Sequence, residues 1–179
     1  SPTAGVLEYN QAFSWSMWVK PTAKLSGALL GKMDEKAKHR GYDVWMEGGR
    51  PGMHIIHEYP NNAIKVVSKS PLPLNSWNHL CVTYDGSGKA AGINIFVNGT
   101  SQQKDIAQDE LNATIQTDKT FRIGRRYYGA AVKGVELDEI GLYHRVLNRK
   151  DVEKLSKVDS FSPLFTKPLD ALSNDQRTL

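Results

Sequence analysis

The chain has 179 residues, of which 40% are hydrophobic, and carries a formal net charge of +4 with a single cysteine, Cys81. This length suits one compact domain. A lone cysteine excludes an intramolecular disulfide. No stretch approaches the roughly 20 apolar residues that a membrane helix needs. The net charge is modest and no nucleic-acid recognition motif is present, which argues against nucleic acid as a partner.

The first predicted element is a strand over Phe13 to Lys20, where apolar residues at alternate positions give one wholly apolar face. Pro21 ends it, because proline cannot donate to a strand ladder. Turn-rich segments then separate further short strands at Ala28 to Lys32, Tyr42 to Glu47, Met53 to Glu58 and Ile64 to Ser68. We expect the charged segment Met33 to Gly41 to be an exposed loop.

The second half of the chain continues in the same way. Trp77 to Tyr84 and Ile93 to Val97 alternate as strands, and Asn98-Gly99 predicts a hairpin turn because both residues tolerate positive φ. Three more strands are predicted at Gln102 to Ala107, Phe121 to Arg125 and Val135 to Tyr143. Asn148, with Asp151 three residues later, marks the start of a short capped helix.

These elements predict an all-β fold. Roughly ten to twelve short antiparallel strands without an internal repeat favour a sandwich of two packed sheets over a propeller or solenoid. We therefore expect a two-sheet antiparallel β-sandwich with one short C-terminal helix over residues 1–158. Residues 159–179 are polar and lack periodicity, which predicts a C-terminal extension or linker.

Four segments resemble, in order, the core strands of laminin-G-like domains of the concanavalin A-like jelly-roll group. They are Phe13 to Pro21, Trp77 to Gly99, Phe121 to Gly124, and Leu137 to Tyr143 with the helix that follows. A narrower similarity, in His57 to Ile64 and Asp85 to Gly92, is to such domains inside large exported planctomycete-type bacterial proteins. The resemblance implies a jelly roll in an extracellular, periplasmic or cell-envelope protein, with neighbouring domains in a longer chain.

Glu136-Leu137-Asp138-Glu139 resembles the motif of the β-glucanases that share this fold, which places Glu, Asp and Glu at alternate strand positions, but the motif is incomplete here. A retaining enzyme needs a carboxylate pair about 5 Å apart on one face. Glu136 and Asp138 share one side of the predicted strand, Glu139 lies on the other, and the third motif position is Ile140. We therefore expect no enzymatic activity and assign no catalytic residue.

Asp138 has two open interpretations. The resemblance implies a structural calcium ion held by an Asp at this position, together with oxygens from the first strands such as those of Glu8 or the Gly31 and Asp34 region. Calcium takes six to eight oxygen ligands, so one carboxylate is far from a complete site. The alternative is that Asp138 only accepts hydrogen bonds at a strand end. Apart from this calcium, no cofactor is expected.

Aromatic and basic residues supply the candidate ligand-binding groups. Trp45 or Trp18 offers an aromatic face for sugar stacking, whereas Trp15 and Trp77 belong to predicted core strands. The run Arg125, Arg126, Tyr127 and Tyr128 at one edge offers groups for an anionic or neutral glycan.

We expect a non-catalytic recognition module for carbohydrate or a protein surface. The alternatives are a structural spacer without a ligand and, less favoured, a glycoside hydrolase.

Overall fold

The computed structural model describes residues 3–157 and forms two antiparallel sheets from eleven strands. The predicted extension at 159–179 lies outside the described residues. The strands are β1 (Phe13–Pro21), β2 (Gly27–Asp34), β3 (Arg40–Glu47), β4 (Arg50–Glu58), β5 (Asn62–Ser68), β6 (Asn78–Tyr84), β7 (Ile93–Val97), β8 (Thr100–Ser101), β9 (Lys104–Glu110), β10 (Arg122–Ile123) and β11 (Val135–Tyr143). A short helix, α1 (Arg149–Leu155), follows.

The chain crosses between the sheets several times. The five-stranded sheet has the order β11-β1-β6-β7-β8, and the six-stranded sheet has the order β10-β2-β3-β4-β5-β9. Consecutive hairpins build the centre of the larger sheet from β2 to β5, while β1 pairs with the distant strands β6 and β11. The predicted two-sheet sandwich is confirmed.

The core lies between the two sheets because each strand turns alternate side chains inward. On β1 these are Phe13, Trp15, Met17 and Val19, and none is more than 3% exposed. On the facing strand β3, the inward residues Tyr42, Val44 and Met46 are equally buried. Gly41, Asp43, Trp45 and Glu47 therefore belong to the outer face of the six-stranded sheet.

Helix α1 packs on the outer face of the five-stranded sheet. Its Val152 forms a small buried cluster with Cys81 and Leu147. Asn148 accepts a hydrogen bond from the Asp151 amide, and Asp151 accepts one from the Asn148 amide, which completes the predicted N-terminal cap. Burial, and then the charge of Asp151, raise the pKa of the Cys81 thiol to about 12. Within residues 3–157 no helix is long and apolar enough to cross a membrane.

Three local predictions were wrong. Strand β2 runs on to Asp34, and Met33 is buried with Ile56 and Ala63, so the exposed loop is shorter than predicted. Trp77 precedes β6 and is 41% exposed, so it is not a core residue. The predicted strand at Phe121 to Arg125 is reduced to the two residues of β10, because the chain turns away from β2 at Gly124.

Candidate functional site

A cleft of about 250 Å³ lies on the outer face of the six-stranded sheet, and we call it the outer cleft. Its lining comes from the centre of the sheet and from four loops beside it. The lining residues are Ser26, His39, Trp45, Glu47, His54, Ile56, Tyr59, Lys65 and Arg126.

Strand register explains why polar side chains meet at the floor of this cleft. Gly48 and Gly49 have φ of 59° and 84°, so they form a two-residue hairpin turn that pairs Glu47 with Arg50. The same register places Asp43 opposite His54, and the next strand places Lys65 opposite His54. Directly paired residues point to one face of a sheet, so these three side chains lie in a row.

Asp43 is a fully buried carboxylate whose two oxygens contact the side chains of His54 and Arg126. Its Oδ1 lies 2.6 Å from His54 Nδ1, and its Oδ2 accepts a 2.6 Å hydrogen bond from Arg126 Nε. Burial alone would raise the pKa of Asp43, but His54 and Arg126 outweigh burial and hold the pKa below its ordinary value. Removing Arg126 would leave an uncompensated buried charge, which typically costs about 3–5 kcal/mol.

The hydrogen bond to Asp43 also fixes the tautomer of His54. A carboxylate can only accept, so Nδ1 carries the proton and the Nε2 of the neutral ring keeps its lone pair. Arg126 Nη2 lies 3.3 Å from this protonated Nδ1, a contact between two donors and therefore not a hydrogen bond. His54 Nε2 has no hydrogen-bond partner among the described residues, so it is available to a ligand in the cleft that His54 lines.

Arg126 is ordered by stacking as well as by its ion pair. Its guanidinium carbon lies 4.3 Å from the centroid of the Trp45 ring, and the His54 ring meets Trp45 edge-on at 5.7 Å. Such cation–π contacts contribute about 0.5–2 kcal/mol. Space beside Asp43 depends on Gly31, because a Cβ there would lie 2.7 Å from the Asp43 Cβ.

His39 enters the cleft from a strained turn between β2 and β3. The amide of Arg40 donates to the carbonyl of Ala37, and the intervening Lys38 and His39 have φ of 54° and 64°. Burial, followed by the charge of Arg126, lowers the pKa of His39. The amide of Tyr59 donates to the Lys38 carbonyl, which joins this turn to the loop after β4.

The structure brings together two of the six residues proposed from the sequence. Trp45 and Arg126 both line the outer cleft. Trp18 is on β1, where its ring meets that of His79 at 5.4 Å, and it does not line the outer cleft. Arg125 is exposed, and its Nε donates to the carbonyl of Arg126. Tyr127 and Tyr128 form an edge-to-face pair, 4.9 Å between ring centroids, and neither lines the cleft.

The tyrosine pair faces a different set of cations. Lys36 Nζ lies 4.5 Å from the centroid of the Tyr128 ring, and Arg122 lies 5.3 Å from that of Tyr127. The Glu35 carboxylate accepts from the amides of Tyr128 and Gly129 at 3.1 Å and turns this loop outward. The four-residue run is therefore divided between two surfaces.

Asp138 is exposed, and its Oδ1 accepts a hydrogen bond from the Glu139 amide. Glu139 has a φ of 49° and lies at a break in the pairing of β11 with β1, and the next residue, Ile140, packs against the core. Residues 3–157 contain no group of three or more His, Cys, Asp or Glu side chains placed to hold a metal ion. A calcium site at Asp138 stays a prediction.

The sequence analysis did not identify most of the residues that line the cleft, although strand alternation and a hairpin turn indicate some of them. Asp43, Trp45 and Glu47 alternate along one predicted strand, and Gly48-Gly49 is a two-residue hairpin signal. Counting back from that turn places His54 opposite Asp43. The contributions of His39, Tyr59 and Arg126 come from loops, for which the sequence holds no comparable register.

Comparisons with known proteins agree with this fold. The family model described as the concanavalin A-like lectin/glucanases superfamily matches residues 1–153. Botulinum neurotoxin type X of Clostridium botulinum is 26% identical over 147 residues, and the match spans 80% of this chain but 11% of the toxin.

Two solved structures share the fold at low sequence identity. The binding domain of Paraclostridial mosquitocidal protein 1 has a TM-score of 0.60 at 17% identity, covering 83% of this chain and 37% of that one. A candidate carbohydrate binding protein from Bacteroides ovatus has a TM-score of 0.58 at 16% identity, covering 84% of this chain and 42% of the other. From the match over residues 1–153, this chain belongs to the concanavalin A-like lectin/glucanase superfamily.

Proposed function

We propose that this domain is a non-catalytic recognition module and that the outer cleft binds one unit of a saccharide. The observation that carries the proposal is the Asp43–His54–Arg126 group in contact with Trp45, which fixes polar groups and an aromatic ring in a single cleft. Charged groups on a sheet that are locked by buried partners form a preorganised site.

The dimensions of the cleft support a small ligand. About 250 Å³ is close to the lower end of the ~300–1,000 Å³ typical of small-molecule sites, and it suits one sugar unit. Tyr59, which is 39% exposed, adds an aromatic face at the rim. A stable protein partner would instead need roughly 800 Å² of surface on each side.

Recognition without catalysis agrees with the arrangement of carboxylates. Glu136 forms a 3.0 Å ion pair with Lys20, and the residue at the third motif position, Ile140, packs against the core. In the outer cleft, Glu47 bonds to Lys65 and Arg50. These contacts leave a glycosidase pair unsupported among the described residues.

The proposal places the domain in a longer exported protein. Two findings support such a role: the match spans 11% of the length of a neurotoxin, and a toxin binding domain and a candidate carbohydrate binding protein share the fold.

A glycan array read with wild type, Trp45→Ala and Trp77→Ala tests this function. We expect wild type to bind at least one polysaccharide, Trp45→Ala to lose about tenfold or more in affinity, and Trp77→Ala to bind as wild type does. Trp77 is the matched control because it is an exposed tryptophan outside the cleft.

Thermal melting of each variant separates lost binding from lost folding. Wild-type protein that binds no polysaccharide, or equal losses in both tryptophan variants, would contradict the proposal and favour a structural spacer.

A further inference from the structure

The carboxylates of the outer cleft are already engaged by the protein. Both oxygens of Asp43 are taken, by His54 and Arg126. Glu47 Oε1 accepts from Arg50 at 3.1 Å, and Glu47 Oε2 accepts from Lys65 at 2.8 Å. The hydrogen bond from Lys65 is the main reason why the pKa of Glu47 is lowered, so this carboxylate stays ionised and paired. Little acceptor capacity remains for ligand hydroxyl groups.

Donors, in contrast, remain unused. Lys65 carries three N–H groups, and one of them is used by Glu47. Arg126 uses Nε for Asp43, while its Nη groups have no acceptor among the described residues. Arg50 also forms a 3.3 Å ion pair with Asp105, so the charges of Arg50, Lys65 and Arg126 are matched by three carboxylates. What the cleft offers a ligand is therefore the unused N–H donors of Lys65 and Arg126.

Burial strengthens the electrostatic effect of the two cations that line the cleft, Arg126 and Lys65. The side chains of Arg126 and Lys65 are 12% and 21% exposed, so solvent screens them less than it screens surface lysines. Arg126 is also fixed in place by the Trp45 ring. A guanidinium and an ammonium held in this way are suited to a carboxylate.

We infer that the ligand of the outer cleft is an acidic saccharide, a sugar unit that carries a carboxylate. This inference rests on the proposed saccharide-binding function. The ligand carboxylate lies between Arg126 and Lys65, and a ring hydroxyl donates to His54 Nε2, the acceptor atom of the neutral ring whose Nδ1–H is held by Asp43. The hydroxyl oxygens of a neutral sugar can also accept from these donors, but a carboxylate acceptor is ionised and therefore forms the stronger hydrogen bonds. A simple anion would leave His54 Nε2 without a donor.

The experiment compares acidic saccharides with neutral saccharides of the same linkage. Oligosaccharides of polygalacturonate, alginate and hyaluronan are titrated calorimetrically beside their carboxyl-reduced counterparts, in which each carboxylate has become a hydroxymethyl group. We expect at least one acidic form to bind about tenfold more tightly than its reduced form, since a hydrogen bond to a charged group is worth about one order of magnitude. We also expect the difference to shrink as sodium chloride is raised.

Lys65→Gln and Lys89→Gln provide the matched variants. Each removes one lysine that is paired with a glutamate, but Lys89 pairs with Glu110 outside the cleft. Lys65→Gln should weaken the acidic probe about tenfold and the reduced probe less than twofold, and Lys89→Gln should change neither. Neither substitution touches the buried Asp43 group, so both variants should fold.

The outcomes separate this inference from the function on which it rests. Equal affinity for acidic and reduced forms, or equal losses on both forms in Lys65→Gln, would overturn the acidic-saccharide inference and leave saccharide binding intact. Failure of the wild type to bind any acidic or reduced probe, together with an empty glycan array, would overturn both.

Discussion

His79 is a buried imidazole on the outer face of the five-stranded sheet, and it makes stability depend on pH. It is 1% exposed, its Nε2 lies 2.8 Å from the Ser16 hydroxyl, and its Nδ1 has no partner among residues 3–157. Burial lowers its pKa to about 4, whereas an unfolded histidine has a pKa of about 6.5. The folded state therefore favours the neutral ring.

The sign of the linkage follows from this difference. Above about pH 6.5 the His79 ring is neutral in both the folded and the unfolded state, so its protonation does not reduce the free energy of unfolding. As the pH falls from 6.5 towards 4, the unfolded state takes up a proton first, so stability is lost by about 1.4 kcal/mol per pH unit. We predict that His79 accounts for about 2 kcal/mol of lost unfolding free energy between pH 7 and pH 5.

Urea unfolding of wild type and His79→Gln at both pH values measures this contribution. The glutamine amide can still bond to Ser16 but does not titrate, so the variant should lose about 2 kcal/mol less than wild type between the two conditions. His144→Gln, at an exposed position, is the control and should behave as wild type does. Equal pH dependence in wild type and His79→Gln would show that His79 is not the responsible group.

At the scale of elements, the turn between β2 and β3 places the His39 side chain in the cleft, and its strained backbone lowers the stability of the fold. Lys38 and His39 both have positive φ, which costs a residue other than glycine about 1–2 kcal/mol. His39→Gly should remove this strain, with part of the gain offset by the greater freedom of glycine in the unfolded chain. We predict a net gain of about 0.5 kcal/mol in unfolding free energy together with weaker saccharide binding.

Lys38→Gly is the matched control for this prediction. It has the same backbone conformation but does not line the outer cleft, and its ion pair with Glu58 is exposed and contributes little. We expect a similar gain in stability with unchanged binding, measured by denaturant unfolding and by titration with the ligand found on the glycan array. Unchanged binding in His39→Gly would remove His39 from the site, and lower stability in both variants would refute the strain argument.

At the scale of the whole molecule, the sequence predicts the sandwich because its signal is periodic. Alternation from Phe13 to Val19 gives the face of β1, and the Asn148 cap gives the start of α1. The irregular positions were not predictable in this way. The pairing breaks near Glu139, and Glu35 accepts hydrogen bonds from the amides of Tyr128 and Gly129 in the loop after Arg126. No sequence period encodes either feature.

The outer cleft shows the same division between periodic and irregular structure. Trp45 was identified on a predicted strand, and its neighbour Asp43 could have been placed opposite His54 by the Gly48-Gly49 hairpin. The loop residues needed the three-dimensional structure. Regular strands therefore position the floor of the site, and loops that differ from one protein to the next complete it.

Calcium binding would affect the stability of the whole molecule, because an ion that binds only the folded state stabilises the complete sandwich. The two interpretations of Asp138 make different predictions for Asp138→Asn, which can still accept the hydrogen bond from the Glu139 amide but loses its charge. If calcium binds, the wild-type melting temperature should rise by several degrees in calcium relative to chelator, since a ligand at 100 times its Kd adds about 2.7 kcal/mol. Asp138→Asn should lose that rise while melting as wild type does in chelator. Equal wild-type melting temperatures in calcium and in chelator would leave Asp138 as a local hydrogen-bond acceptor at the break in β11.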